Sequence, residues 1–134
     1  MVKIVISDPK TGKSYQKEFQ ESSMLHGKKI RDVIKGELLD MTGYEFQITG
    51  GSDAAGFPMR SDVEGTLKRQ ILSVGGVGIK SKRKGMRQRK TVAGNTIFEK
   101  IAQVNLKVVK YGKESLEPKP EAPVEEAKPD EKKE

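Results

Sequence analysis

Seven cations fall within the eleven residues 80–90, Lys80-Ser81-Lys82-Arg83-Lys84-Gly85-Met86-Arg87-Gln88-Arg89-Lys90. The chemistry such a run can do is phosphate binding. Lysine and arginine neutralise backbone phosphates and release their condensed counterions. Arginine also forks onto phosphate oxygens and stacks on bases. The wider span from Gly65 to Phe98 holds nine cations and no acid, because Lys68 and Arg69 extend the patch. Met86 is the only large apolar side chain of the run, which has no period of 2 or 3.6, so the run is not a core element. Alone in water its like charges repel and extend it. A charge run is ordinarily a solvated loop, but seven cations without one acid favour a polyanion. RNA is favoured over DNA, since nothing in the chain reads as a helix-turn-helix, a zinc finger or a basic helix for the major groove. The expectation is a basic arm over 80–94 that orders on binding. Arg83, Arg87 and Arg89 bridge phosphates or stack, Lys80, Lys82, Lys84 and Lys90 neutralise, and Gly85 lets the backbone pass close to a groove.

Other chemistry finds little support. With no cysteine, and His26 as the single histidine, no metal site is expected. The acids Asp32, Glu37, Asp40, Asp53, Asp62 and Glu64 have no spacing that sets up a paired acid–base site, so no catalytic residue, cofactor or small-molecule substrate is expected. Gly75-Gly76-Val77-Gly78 fits neither the P-loop nor the dinucleotide fingerprint. Its GxxG resembles that of KH domains, but strands rather than helices flank it. It reads as a tight turn whose amides could assist phosphate binding.

The elements that must position these residues read as short strands. Val2, Ile4 and Ile6 alternate with polar or smaller neighbours, Asp8-Pro9-Lys10-Thr11-Gly12 is a turn, and Tyr15, Lys17 and Phe19 complete a hairpin over 2–19. Tyr44, Phe46 and Ile48 mark another strand, followed by strands over 70–74 and 104–111. Thr96-Ile97-Phe98 and Val77-Gly78-Ile79 are further short candidates. Ile30, Val33, Ile34 and Leu38 share one helical face, interrupted by Gly36, and Ser61 with Glu64 has the form of a capping box cut short by Gly65. One or two short helical turns are therefore expected. The fold class predicted is mainly β: a small antiparallel barrel-like or sandwich domain over 1–112.

Charge divides the chain. Residues 113–134 hold five Lys against eight Asp/Glu, which leaves twenty-one cations and eleven acids in residues 1–112. A basic body of this excess points to nucleic acid. The Pro-rich acidic segment 113–134 is expected to be a disordered tail, because it cannot bury enough apolar surface to offset its ordering entropy. It is either a solvated end or a partner-binding tail. No stretch approaches the ~20 apolar residues of a membrane helix, and no secretory leader is expected from Met1-Val2-Lys3-Ile4. The expected compartment is the cytoplasm, without a membrane partner.

The segment Ile48-Thr49-Gly50-Gly51-Ser52-Asp53-Ala54-Ala55-Gly56-Phe57-Pro58-Met59 leaves a strand through two glycines, an acceptor aspartate and a proline-fixed exit. Phe57 and Met59 anchor the loop, or Phe57 stacks on a base. This segment resembles the signature of the small-subunit ribosomal protein family numbered six in the eukaryotic nomenclature: aliphatic, small, then Gly-Gly-x-Asp-x-x-Gly-x-Pro-Met. Gly50, Gly51, Asp53, Gly56, Pro58 and Met59 fill its fixed positions. Arg83–Lys90 followed by Thr91-Val92-Ala93-Gly94, and the closing strand with Asn105-Leu106, are similar to the family as well. The resemblance covers about residues 1–112. It implies a barrel-like domain that binds ribosomal RNA and neighbouring ribosomal proteins as a structural part of the small subunit, in the cytoplasm and without catalysis. The acidic tail in place of a long basic extension implies an archaeal member, so the phosphorylation control of eukaryotic relatives does not carry over. A free RNA-binding regulator or RNA chaperone using the same patch is the alternative.

Overall fold

The structure, a computed structural model, describes residues 1–20, 23–112 and 116. Among the described residues seven strands run in chain order: β1 Val2–Ser7, β2 Ser14–Phe19, β3 Val33–Lys35, β4 Glu45–Asp53, β5 Arg69–Ser73, β6 Gln88–Val92 and β7 Ile101–Lys110. Two 3-10 turns, Ser23–Leu25 and Gly36–Leu39, are the helical elements among the described residues, and only the second overlaps a stretch where the sequence predicts a helical turn. Among the described residues no helix is long and apolar enough to cross a membrane.

The mainly-β expectation holds, with two refinements. The five-stranded sheet has the order β2-β1-β7-β4-β3, and β5 with β6 forms a separate two-stranded sheet, so the strands do not close into a barrel. The sheet is also mixed: β1 pairs antiparallel with β2 but parallel with β7, from Lys3 opposite Gln103 to Ser7 opposite Lys107. A parallel neighbour must come from a distant crossover, and here it comes from the far end of the described chain.

Alternation builds the core as the pattern demands. Val2, Ile4 and Ile6 of β1, Phe46 and Ile48 of β4, and Val104, Leu106 and Val108 of β7 all turn to the buried face. The turn between β1 and β2 is closed by Asp8, which accepts Lys10 N–H at 2.9 Å and Thr11 Oγ1–H at 2.8 Å. The Tyr111 hydroxyl beyond β7 also donates to Asp8. The Tyr111 bond is the main reason the Asp8 carboxyl lies below its usual range.

Several local expectations change. Val33 and Ile34 do not share a helical face; they belong to edge strand β3, with Ile34 buried and Val33 exposed. β-Branched neighbours followed by a helix-weakening glycine favour the strand once β4 offers an edge. Ser61–Gly65 is a turn rather than a capped helix, with Val63 buried. Val77–Ile79 and Thr96–Phe98 form no strand of their own, although Ile79 and Ile97 are both buried and Thr96 bridges to Lys29. The segment 113–134 lies outside the described residues apart from Leu116, which is half-buried and packs against the core.

A bulge prepares the signature segment. Along β4, Ile48 faces Leu106 but Gly50 faces Asn105, so Thr49 is the extra residue and its hydroxyl donates to the Asn105 carbonyl at 3.0 Å. Even-numbered Phe46 and Ile48 are buried before the bulge, and odd-numbered Asp53 is buried after it. The one-residue phase change turns an aspartate inward that strict alternation would have left outside.

Candidate nucleic-acid interface

The acid-free span is one excursion from the core, and its two ends meet. Thr96 N–H donates to the Gly65 carbonyl at 3.2 Å, and Gly65 N–H donates to Asn95 Oδ1 at 3.3 Å. A Cβ at Gly94 would land on the Gly65 carbonyl, so the two backbones cross without room for any side chain. Beyond this crossing the span folds as a hairpin, β5 against β6, from Arg69 opposite Val92 to Ser73 opposite Gln88.

The run 80–90 is therefore not a loose arm along its whole length. Its last residues, Gln88 to Lys90, are in β6, and Val92 at the strand's end is fully buried. Residues 74–87 join the strands and are internally bonded. The Ser81 hydroxyl donates to the Val74 carbonyl, Gln88 Nε2 donates to the Lys80 carbonyl at 3.3 Å, and Ile79 N–H donates to the Gly76 carbonyl at 3.1 Å.

Strand pleating distributes the charge. Arg69 and Lys90 share one face of the hairpin with Ile71, whereas Arg89 shares the other with Leu72. Lys80, Lys82, Arg83, Lys84 and Arg87 stand on the connecting loop, all exposed. None of these eight cations has an acid partner among the described residues. Lys80 and Lys90 converge on one depression beside Gly76, Gly78 and Ile79. Leu72 and Val74 stand exposed and line a second depression with Arg87.

Lys68 differs from the other eight. Its ammonium lies 2.6 Å from Asp53 Oδ2 and 5.0 Å from the centre of the Phe57 ring. Burial alone would raise the Asp53 carboxyl, but the Lys68 ammonium and the amides of Ala54 and Ala55 outweigh it, and the group lies below the usual carboxylate range. Lys68 is thus a clamp on the signature loop, with its ammonium over one face of the Phe57 ring.

The signature residues form the hinge between sheet and hairpin. Met59 N–H donates to the Gly51 carbonyl at 2.9 Å, Ala93 N–H to the Pro58 carbonyl at 2.9 Å, and Arg60 N–H to the Ala93 carbonyl at 3.2 Å. Met59 is buried beside Ala93. Pro58 presses on the glycine turn: Gly78 sits at φ 82°, and a Cβ there would come within 2.7 Å of the Pro58 ring. The two glycine-rich motifs of the sequence are therefore one packed unit.

Arg60 completes it and carries no signal in the sequence beyond an acid two residues away. Its side chain makes a two-pronged pair with Asp62, at 2.9 and 2.8 Å, and donates to the Val77 carbonyl at 3.0 Å. The Asp62 bond raises the Arg60 guanidinium further and holds the Asp62 carboxyl low. Arg60 therefore fixes the glycine turn by a side-chain-to-backbone bond across seventeen residues.

A family model described as ribosomal protein S6e matches residues 2–119. The chain belongs to the ribosomal protein S6e family. Its relatives include the small ribosomal subunit protein eS6 of Methanococcus maripaludis strain C5, 50% identical over 120 residues, or 90% of this chain and 96% of the relative. The protein of the same name from Archaeoglobus fulgidus is 52% identical over 118 residues, covering 86% and 92%. That from Methanocaldococcus jannaschii is 50% identical over 114 residues, covering 85% and 86%. The S6e match spans both sheets, so the hinge and the basic hairpin lie inside the region that defines the family.

Proposed function

We propose that this S6e chain is a structural constituent of the small ribosomal subunit in the cytoplasm, taking part in translation and docking on ribosomal RNA through the basic hairpin 69–92. The observation that carries this reading is the acid-free hairpin folded as a ribbon, with cations on both faces that have no acid partner among the described residues. Exposed cations on both faces let the ribbon neutralise phosphates on either side of it. The depression of Lys80, Lys90 and the glycine turn is the site assigned to a phosphate. Arg83, Arg87 and Arg89 supply the forked contacts and the stacking surfaces. Gly50, Gly51, Asp53, Gly56, Pro58 and Met59 hold the hairpin on the sheet rather than touching RNA, and Lys68 belongs with them. No catalytic step is part of this function.

The test is crosslinking on intact small subunits, reading out which nucleotides lie beside residues 80–90. Crosslinks from this segment to small-subunit ribosomal RNA are expected. Sedimentation of the protein apart from the small subunit at low and high salt would refute the assignment and leave a free RNA-binding protein.

A further inference from the structure

Three more exposed cations, Lys28, Lys29 and Arg31, lie outside the hairpin. Backbone bonds stitch their segment to the chain that leaves β6. Gly27 N–H donates to the Ile97 carbonyl at 3.0 Å, Ile97 N–H to the Lys28 carbonyl at 2.9 Å, and Ile30 N–H to the Asn95 carbonyl at 3.0 Å. Lys29 faces Thr96 across a bridge. Lys90 and Thr96 are six residues apart, so their backbones lie within about 20 Å of one another.

Arg31 is held at φ 82°. Among the described residues every other left-handed position is a glycine, except Asp40. Aspartate is one of the few residues that tolerate this region, and a long unbranched cation is not. The backbone does not need an arginine there. Its N–H donates to the Ile48 carbonyl at 2.8 Å and its carbonyl accepts from Gln47 Nε2 at 3.2 Å, and glycine would make both bonds without strain. The guanidinium makes no ion pair or hydrogen bond among the described residues, and the residue is exposed. The neighbouring acid, Asp32, turns back to accept Lys29 N–H at 2.7 Å. Strain kept for a side chain whose charged group has no partner among the described residues points to a partner outside the molecule.

We infer that Lys28, Lys29 and Arg31 form a second phosphate-contacting site for RNA, seated beside the foot of the basic hairpin. The site rests on the RNA-binding reading and enlarges it: one RNA fold is gripped at the hairpin and again at the sheet. Lys28 and Lys29 neutralise phosphates, and Arg31 forks onto one from a backbone set at a fixed angle.

The test uses the full chain, a transcript of small-subunit ribosomal RNA, a salt titration of affinity and thermal unfolding of the free protein. Arg31→Gly removes both strain and charge. Its melting temperature should equal or exceed that of the parent, while its salt slope should fall by about 0.7 to 0.9. Adding Lys28→Ala and Lys29→Ala should bring the fall to about 2.1 to 2.7. An unchanged slope in this triple variant overturns the inference. A melting temperature of Arg31→Gly below the parent also overturns it, since Arg31 would then be serving the fold. Arg83→Ala/Arg87→Ala/Arg89→Ala is titrated in parallel. If its slope is also unchanged, the RNA-binding reading itself fails; if its slope falls alone, only the second site fails.

Discussion

Replacing Arg83, Arg87 and Arg89 by alanine should weaken RNA binding in a strongly salt-dependent way and leave the fold intact. All three are exposed and none has an acid partner among the described residues. Removing them therefore breaks no internal ion pair, and each change should stay within about 0.5 kcal/mol of neutral for stability. Binding is different. Each lost phosphate contact removes about 0.9 from the slope of log K against log salt on a duplex, or about 0.7 on a single strand, so three contacts remove about 2.1 to 2.7. Between about 50 mM and about 200 mM salt the ratio of parent to variant affinity should consequently shrink roughly 20- to 40-fold. The assay is a filter-binding titration of small-subunit ribosomal RNA at four or more salt concentrations, with far-UV circular dichroism as the control for folding. Parallel lines for parent and variant would refute the reasoning. They would mean that three exposed arginines on two strands' worth of acid-free chain touch no phosphate.

Gly94→Ala should destabilise the foot of the hairpin by about 1–3 kcal/mol, since its Cβ meets the Gly65 carbonyl and one backbone must move; urea unfolding with an unchanged midpoint would contradict this. Lys68→Met should cost about 1–3 kcal/mol by leaving the buried Asp53 carboxylate without its cation, less than a fully buried pair because solvent screens the partly exposed Lys68. The pH dependence follows from the same pair. The Asp53 carboxyl is lower in the folded state than in the unfolded chain, so its contribution is present above about pH 4 and is lost as pH falls below it, and Lys68→Met should flatten that acid-side loss in melting temperature. Arg60→Ala should free the glycine turn, raising amide hydrogen exchange at Gly76–Lys80 while leaving β1 and β7 protected.

The strands with a strict alternation were legible from residue order. β1, the first half of β4 and β7 from Val104 place isoleucine, valine, leucine or phenylalanine at every second position, and each lies in a strand; the extension of β4 through Gly50–Asp53 and of β7 back to Ile101 has no such pattern. β6 was not, because Gln88-Arg89-Lys90-Thr91-Val92 has no apolar period. It becomes a strand because β5 offers it a partner and the bonded loop 74–87 sets the register. The helical face drawn through Ile30, Val33, Ile34 and Leu38 failed for the related reason that spacing alone does not know of a free β4 edge. The candidate contact residues stand out in the sequence as a charged, acid-free span, but nothing there separates Lys68, which the fold pairs with an acid, from the rest. Its partner Asp53 lies fifteen residues away and reaches it only because the bulge at Thr49 turns it inward.

Residue order by itself determined the charge of this protein, its position along the chain, the signature that marks the family and the alternation that makes its core strands. These are local properties: a side chain's charge and a period of two need no partner to be read. The tertiary structure alone decided that β1 lies parallel to β7, that the acid-free span returns to its own start, and that both glycine motifs and Arg60 form one hinge. Each of these depends on bonds between residues far apart in the chain, made wholly or on one side by backbone groups. Such groups leave no trace in residue type, so only the folded chain shows which of them meet.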